Sequence, residues 1–306
     1  MRPIDLTILT DARYVNPTAT DAYIENVLLE DRLVQKALEA HGIYCERKSW
    51  DDPVFDWSST TYALFRATWD YFDRFDAFFD WFQRTAKHTQ FINAAPLIRW
   101  NIDKHYLRDL QQKGVHLPKT LFIERGEKLD LGQALKKAQT QLGFTAEEFV
   151  LKPCIAGGAR HTYRFRHSAW EAHNAIFQQL IAHEAMLLQE FQENVVQKGE
   201  VSIMVFNGQF SHAILKMAKP GDFRVQDDFG GSVHHYRPSA AEIAFAQNVV
   251  AAAPEPPLYA RVDIFEANDG QLALAELEIF EPELWFRFHK PAATYLAHAI
   301  KQRYFS

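Results

Sequence analysis

The chain has 306 residues, 47% of them hydrophobic, and a formal net charge of −6. This length exceeds what one hydrophobic core usually serves, so two or three domains are expected, and an acidic balance with no block of Lys and Arg lacks the electrostatic footprint of a nucleic-acid binder. The N-terminal residues lack the apolar stretch of a secretory leader, no apolar run reaches membrane-spanning length, and Cys45 and Cys154 are too few for a disulfide framework or a thiolate metal site; the expectation is a cytoplasmic protein with both thiols reduced.

Residues 4–9 read as a short apolar strand, Asp21 caps a helix that runs to His41 and closes at Gly42, and residues 43–48 supply a second strand. Residues 63–67 give a third strand, followed by a helix over 70–84 whose Tyr71, Phe72, Phe75, Phe78, Phe79 and Phe82 form an aromatic stripe suited to core packing. Between them lies Phe65-Arg66-Ala67-Thr68-Trp69-Asp70-Tyr71. Ligands of open α/β sheets gather outside the carboxyl ends of the strands, so Arg66, Trp69 and Asp70 are candidate substrate contacts; the competing reading makes Asp70 a helix cap and Trp69 a staple. Residues 91–93 resemble a fourth strand, and Pro96 opens a segment over 97–113, with Asn101 and Lys104 on one side, that Gly114 ends.

A second unit opens between residues 95 and 118, with a strand over 118–123 and a helix over 131–142. Residues 149–153 form a strand carrying Lys152, followed by Cys154-Ile155-Ala156-Gly157-Gly158-Ala159-Arg160. Glycines let backbone amides approach phosphate, so this loop is a candidate nucleotide cradle, although it lacks both the GKS/GKT ending of a P-loop and GxGxxG spacing; a hairpin turn at Gly157-Gly158 is the alternative. A short strand over 163–166, a helix over 169–181 and a buried strand ending in Gln189-Glu190-Phe191 follow. Strands over 200–206 and 209–217 are joined by Asn207-Gly208, the strongest short hairpin signal in the chain. Residues 218–232, with Arg224 and Gly230-Gly231, form a long polar loop; an alanine-rich helix over 240–253, a stiff linker over 254–257 and a closing helix over 290–304 complete the pattern.

The stretch LYARVDIFEANDGQLALAELEIFEPELW, residues 258–285, organises the rest. It alternates, breaks at Asn268-Asp269-Gly270 and alternates again, which reads as a β-hairpin. Residues two apart share a face, so Arg261 and Asp263 point together and face Glu276 and Glu278. Crowded carboxylates repel unless cations lie between them, and oxygen ligands without sulfur or imidazole suit Mg²⁺; a solvated hairpin face is the alternative.

In this order, Lys104, Lys152-Pro with its glycine loop, Gln189-Glu190-Phe191, Glu200, Lys216, Arg224 with Gly230-Gly231, Arg261-x-Asp263 and Glu276-x-Glu278 resemble the ATP-grasp superfamily over most of the chain. The branch with glutathione synthetase and the ribosomal-protein glutamate ligases is nearest, and RATWDY with ELEIFEPEL resembles the amino-acid ligases that include the cycloserine-forming cyclo-ligase. The pattern departs at Glu278, where many relatives carry Asn. The resemblance implies an α/β (α+β) ATP-grasp fold: an open parallel α/β domain over 1–95, a central subdomain over 96–188 and a C-terminal subdomain with the metal site over 189–306, the last two clasping ATP.

It further implies that Lys104 and Lys152 hold the α- and β-phosphates under the loop with Gly157 and Gly158, that Gln189, Glu190 and Phe191 form the adenine hinge through backbone groups, and that Glu200 meets the ribose. Lys216, Arg224 and Arg261 neutralise the γ-phosphate and an acyl phosphate, while Asp263, Glu276 and Glu278 hold two Mg²⁺, with Mn²⁺ as a substitute. The implied activity is ADP-forming carboxylate–amine ligation through an acyl phosphate on a small amino-acid-like substrate, linear or cyclising, with no nucleic-acid or membrane partner; a homodimer is compatible with the sequence. A phosphotransferase and a non-catalytic nucleotide-binding module are the other function classes, and the three intact acids argue against the latter.

Overall fold

Three β-sheets built from consecutive parts of the chain surround one cleft. The computed structural model describes residues 4–225 and 229–305. In the first sheet, β1 (Ile4–Thr10), β2 (Cys45–Ser49), β3 (Thr60–Phe65) and β4 (Gln90–Ile92) run parallel in the order β2-β1-β3-β4. Parallel strands need crossovers. A short helix α1 (Ala12–Val15) and α2 (Ala22–Ala40) make the first; the Asp21 carboxylate accepts from Ile24 N at the start of α2, and Gly42 takes φ +77° just past its end.

The helix expected from residue 70 begins instead at Phe75, as α3 (Phe75–Thr85). Residues 70–74 form a turn, so Tyr71 and Phe72 leave the helical stripe, and Phe78, Trp81 and Phe82 are the apolar α3 side chains buried under the sheet. The segment expected over 97–113 is likewise broken into α4 (Ala95–Asn101) and α5 (Tyr106–Gln112). At the break, Lys104 N donates to Cys154 O at 2.9 Å, which ties this turn to the glycine loop.

The second sheet is antiparallel, with β5 (Thr120–Ile123), β6 (Glu148–Pro153), β7 (Tyr163–Arg166) and β8 (Met186–Glu190) in the order β5-β8-β6-β7. The helices α6 (Leu131–Leu142) and α7 (Glu171–Ile181) share a core with it through Leu135, Phe149, Phe177 and Leu188. Asp130 and Gln133 close a reciprocal capping box on α6, and Gly143 ends it in the left-handed conformation.

After the short α8 (Glu193–Gln197) comes the third sheet, also antiparallel: β9 (Glu200–Phe206), β10 (Gln209–Met217), β11 (Ser232–Tyr236), β12 (Tyr259–Glu266) and β13 (Leu272–Glu278), ordered β11-β10-β9-β12-β13. Asn207 and Gly208, both at positive φ, make the tight β9–β10 turn. β11 lies at the edge and had no sequence signal, because its side chains are half-buried or exposed and mostly polar. The helix α9 (Ala240–Ala251) covers one face, and α10 (Pro291–Tyr304) returns to pack on α2, so Leu38, Leu6, Met204 and Leu296 belong to one core joining the first and third sheets.

Candidate active site

The β12–β13 register pairs Arg261 with Glu278 and Asp263 with Glu276, with a bulge just after Asp263. The face predicted from alternation is therefore formed, and a buried amide network fixes where it points. Asn101 Nδ2 donates to Leu277 O (2.7 Å) while its Oδ1 accepts from Ile279 N (3.1 Å), and Tyr106 Oη accepts from Leu277 N (2.9 Å). Asn93 does the same for the hairpin's outer end, donating to Tyr259 O and Ile279 O and accepting from Leu258 N. Two helix-bearing segments thus hold β13 by the backbone groups its edge would otherwise leave unpaired.

The acids face a cavity of about 540 Å³ between the three sheets, within the range of small-molecule sites. Among the expected phosphate ligands, Lys104, Lys152, Gly157 and Gly158 line it, as do the expected hinge residues Gln189, Glu190 and Phe191. Glu200, Lys216, Arg261, Asp263, Glu276 and Glu278 complete the wall from the third sheet, and Arg224 from the loop that follows β10.

Charge is sorted within this wall. Asp263 accepts from Ser202 Oγ (2.5 Å) and Arg261 Nε (3.0 Å), with Lys216 Nζ at 3.1 Å; burial raises its carboxyl, but Arg261 and Lys216 outweigh burial and hold it at about 2. Glu276 lies 2.9 Å from Lys104 Nζ, and although burial opposes ionisation, Lys104 and Lys152 hold its carboxyl below the usual range. Glu278 receives Arg261 yet is pushed well up, by burial first and then by repulsion from Glu276 and Glu281. Glu281, which the alternation could not reveal because it follows the strand's end, is raised to about 7 by burial and by Glu276, while Arg261, Lys104 and a hydrogen bond with Tyr71 pull it back. Carboxylates held this close without enough cations are what a divalent ion relieves.

Lys152 has no ion-pair partner among the described residues, and burial lowers its ammonium pKa. Lys104 donates to Ala156 O at 2.7 Å, so it bridges the glycine loop and Glu276. Two lysines, backbone amides of a glycine loop and a facing cluster of acids are the complement of a metal-bound polyphosphate.

Several expected contacts are arranged differently. Glu200 is ion-paired with Lys216 at 2.6 Å, and the Glu190 carboxylate accepts from Thr145 N and Ala146 N. Phe191 N donates to Glu148 O, and its carbonyl accepts from Asn268 Nδ2; what Phe191 offers the cavity is its ring, under the Arg164 guanidinium and edge-on to Phe223. Arg224 reaches the cavity but grips Asp222 through two nitrogens, 3.1 and 2.8 Å away. Residues 226–228 of that loop lie outside the described residues.

The first-domain turn divides the three substrate candidates. Trp69 lines the cavity, and its Nε1 donates to Glu281 O at 3.0 Å. Arg66 does not line it: 4% exposed, it donates to Pro282 O (3.1 Å) and lies 3.4 Å from Glu30 and 3.6 Å from Asp31. Asp70 is not on the wall either; it accepts from Trp50 Nε1 (2.7 Å) and pairs with Arg74. Strand-end placement brought Arg66 near the cleft, but buried carboxylates on α2 claim its guanidinium. Tyr71, Phe72 and Arg13 line the cavity instead; the aromatic pair was legible only as a core stripe.

Two lysines and a glycine loop that line one cavity with the acids of the last hairpin fit an ATP-dependent ligase, and the chain belongs to the ATP-grasp ligases. Residues 6–93 match the family model of the D-cycloserine synthetase DcsG N-terminal domain, and residues 166–279 match the RimK-like ATP-grasp domain. The cycloserine biosynthesis protein DcsG of Streptomyces lavendulae is 30% identical over 281 residues, 88% of this chain and 91% of that protein. The crystal structure of D-cycloserine synthetase DcsG superposes with a TM-score of 0.83 at 27% identity, covering 97% of this chain and 99% of that one. D-alanine–D-alanine ligase of Bacillus anthracis with bound ATP shares the fold, at a TM-score of 0.63 and 13% identity over 98% of this chain and 96% of that one.

Proposed function

We propose that this ligase activates the carboxylate of an amino-acid-like substrate as an acyl phosphate and joins it to an amine. The observation that carries the reading is that Lys104 and Lys152 face Asp263, Glu276, Glu278 and Glu281 across one cavity. Lys104, Lys152 and the loop with Gly157 and Gly158 hold the α- and β-phosphates, and Gln189, Glu190 and Phe191 bound the adenine end. Glu200 meets the ribose after release from Lys216. Asp263, Glu276 and Glu278, with Glu281, hold two Mg²⁺, for which Mn²⁺ can substitute; bound metal screens the phosphates and polarises the γ-phosphoryl group. Residues 1–95, 96–188 and 189–306 act as the acceptor, phosphate and metal units.

A carboxylate repels nucleophiles and has no leaving group; transfer of the γ-phosphoryl group removes both obstacles, and amine attack then expels phosphate. Lys216, Arg224 and Arg261 neutralise the charge that develops, Arg224 by exchanging Asp222 for phosphate. Trp69 is the apolar wall of the acceptor pocket, and Arg13, held by Asp11 at 2.7 Å, stands at its rim in place of Arg66 as the arginine that meets a substrate carboxylate. Because DcsG is named for cycloserine biosynthesis, a substrate bearing both carboxylate and amine is the second reading.

No helix among the described residues is long and apolar enough to cross a membrane, and Cys45 and Cys154 are both free and buried; we place the enzyme in the cytoplasm. Incubation with Mg·ATP and pooled amino acids, followed by mass spectrometry, tests the reading. ADP, phosphate and a product lighter than its precursors by one water support ligation; a phosphorylated acceptor refutes it.

A further inference from the structure

We infer that Phe72 is a positioning residue: the turn from Trp69 to Asp73 is the latch against which the phosphate loop closes, so closure over the nucleotide is coupled to the acceptor side of the cavity. The inference rests on the nucleotide reading above.

Three contacts converge on this turn from the loop. A methyl group built on Gly157 would sit 2.7 Å from Cε1 of Phe72, so the loop backbone lies directly on the ring. Ile155, two residues earlier, packs against the same first-domain core as Phe72, which includes Phe65, Tyr71 and Phe280. Arg160, at the loop's far end, is held by Glu184 through two hydrogen bonds of 2.9 and 3.0 Å and lies 3.9 Å from Asp73. The loop follows this path at a conformational cost, because Ala159 (φ +55°) and His161 (φ +50°) occupy the left-handed region that side chains disfavour. Such a geometry persists only where surrounding contacts over-determine it, and here Phe72 and Asp73 of the first domain supply part of them, beside Glu184 and Lys104.

The same turn touches the acidic cluster. Trp69 Nε1 donates to Glu281 O, and the Tyr71 ring packs edge-on against Phe280, the residue before Glu281. Ala156, next to Gly157, accepts from Lys104, which pairs with Glu276. Within this one turn, Phe72 and Asp73 meet the loop that covers phosphate, while Trp69 and Tyr71 meet the segment just beyond the strand that carries the acids. A substrate seated against Trp69 bears on the turn that seats the loop, which gives first-domain occupancy a physical route to loop closure.

The test uses full-length protein and Mg·AMP-PNP, with nucleotide binding in each variant established by thermal shift. Trypsin cleavage after Arg160, followed by mass spectrometry, reports loop opening. Addition of Mg·AMP-PNP is expected to slow this cleavage about tenfold in wild type and less than about twofold in Phe72→Ala and Gly157→Ala, with Phe72→Leu between them. Gly157→Ala approaches the contact from the loop side and leaves the first-domain core intact. The double variant should be no more cleavable than either single one, because both remove the same contact. Equal protection of wild type and variants that bind nucleotide, or additive effects in the double variant, overturns the latch. If Mg·AMP-PNP gives no thermal shift in wild type, the nucleotide reading itself falls, and the latch with it.

Discussion

Lys104 Nζ stands 2.9 Å from Glu276 Oε1 while donating to Ala156 O at 2.7 Å, so one buried ammonium links the acidic hairpin to the loop expected to cover phosphate. It is the counter-ion of Glu276, and a metal ion held by that carboxylate would free the ammonium for phosphate. Glu276→Gln keeps the shape but removes the charge proposed to bind metal. Turnover is expected to fall by at least about 10²-fold, and chelation of Mg²⁺ with EDTA should have the same effect on wild type. The melting temperature should also fall, because Lys104 loses its counter-ion, with relief of repulsion among the neighbouring carboxylates limiting the loss. Steady-state ADP release and calorimetry check both parts.

Lys152 differs from Lys104 in having no carboxylate within ion-pair distance among the described residues. Its charge is expected to serve the nucleotide, so Lys152→Met should weaken AMP-PNP binding by about 1.5 to 3 kcal/mol, roughly 10- to 150-fold in Kd. Burial disfavours the ammonium, so in the absence of nucleotide the variant should be at least as stable as wild type. Titration calorimetry and thermal melting measure the two effects.

Arg66 carries the opposite expectation from a substrate contact. Removing a buried guanidinium that donates to Pro282 O and neutralises Glu30 and Asp31 leaves these two buried carboxylates to Arg287 and Arg47. Arg66→Ala should cost about 3–5 kcal/mol of stability, while the fraction that remains folded binds AMP-PNP with wild-type affinity. Urea unfolding and calorimetry on the purified variant separate stability from binding.

His212 provides a pH prediction away from the catalytic cluster. Its Nε2 donates to Leu284 O at 2.9 Å, its Nδ1 accepts from Ser211 Oγ at 3.0 Å, and the His289 ring lies 5.3 Å away. Burial lowers its pKa from 6.5 to about 4, so the folded protein keeps it neutral where the unfolded chain would take up a proton. The stability tied to its neutral form is complete above pH 6.5 and is lost as pH falls toward 4, reaching about 3 kcal/mol at most. In His212→Gln this part of the acid sensitivity should disappear, as urea melts across that pH range would show.

The hairpin was legible because strand periodicity is local: Arg261, Asp263, Glu276 and Glu278 fall on one face whatever the rest of the chain does, and the observed register bears this out. The Asp21 cap, the Asn207-Gly208 turn and the βαβ rhythm were legible for the same reason. What sequence could not reach depends on residues far apart. Arg66 is claimed by Glu30 on one side and by Pro282, on the far side of the chain, on the other. Glu281 lies just beyond the period that exposed its neighbours, and Tyr71 looked like one more member of a core stripe until the turn at 70–74 lifted it to the cavity. Gly157 read as a turn or a cradle, but the reason for a residue without a side chain there is the ring of Phe72.

If ATP activates a carboxylate in the cavity lined by Lys104, Lys152 and Glu276, an oxygen of that carboxylate must appear in the released phosphate. The most direct measurement follows oxygen. Amino acids labelled with ¹⁸O in the carboxylate are incubated with Mg·ATP and enzyme, and the released phosphate is analysed by mass spectrometry. Activation as an acyl phosphate moves one labelled oxygen into phosphate for each amide formed, and this transfer should vanish in Glu276→Gln. Phosphate released without label, or label retained in a phosphorylated acceptor, would contradict the account.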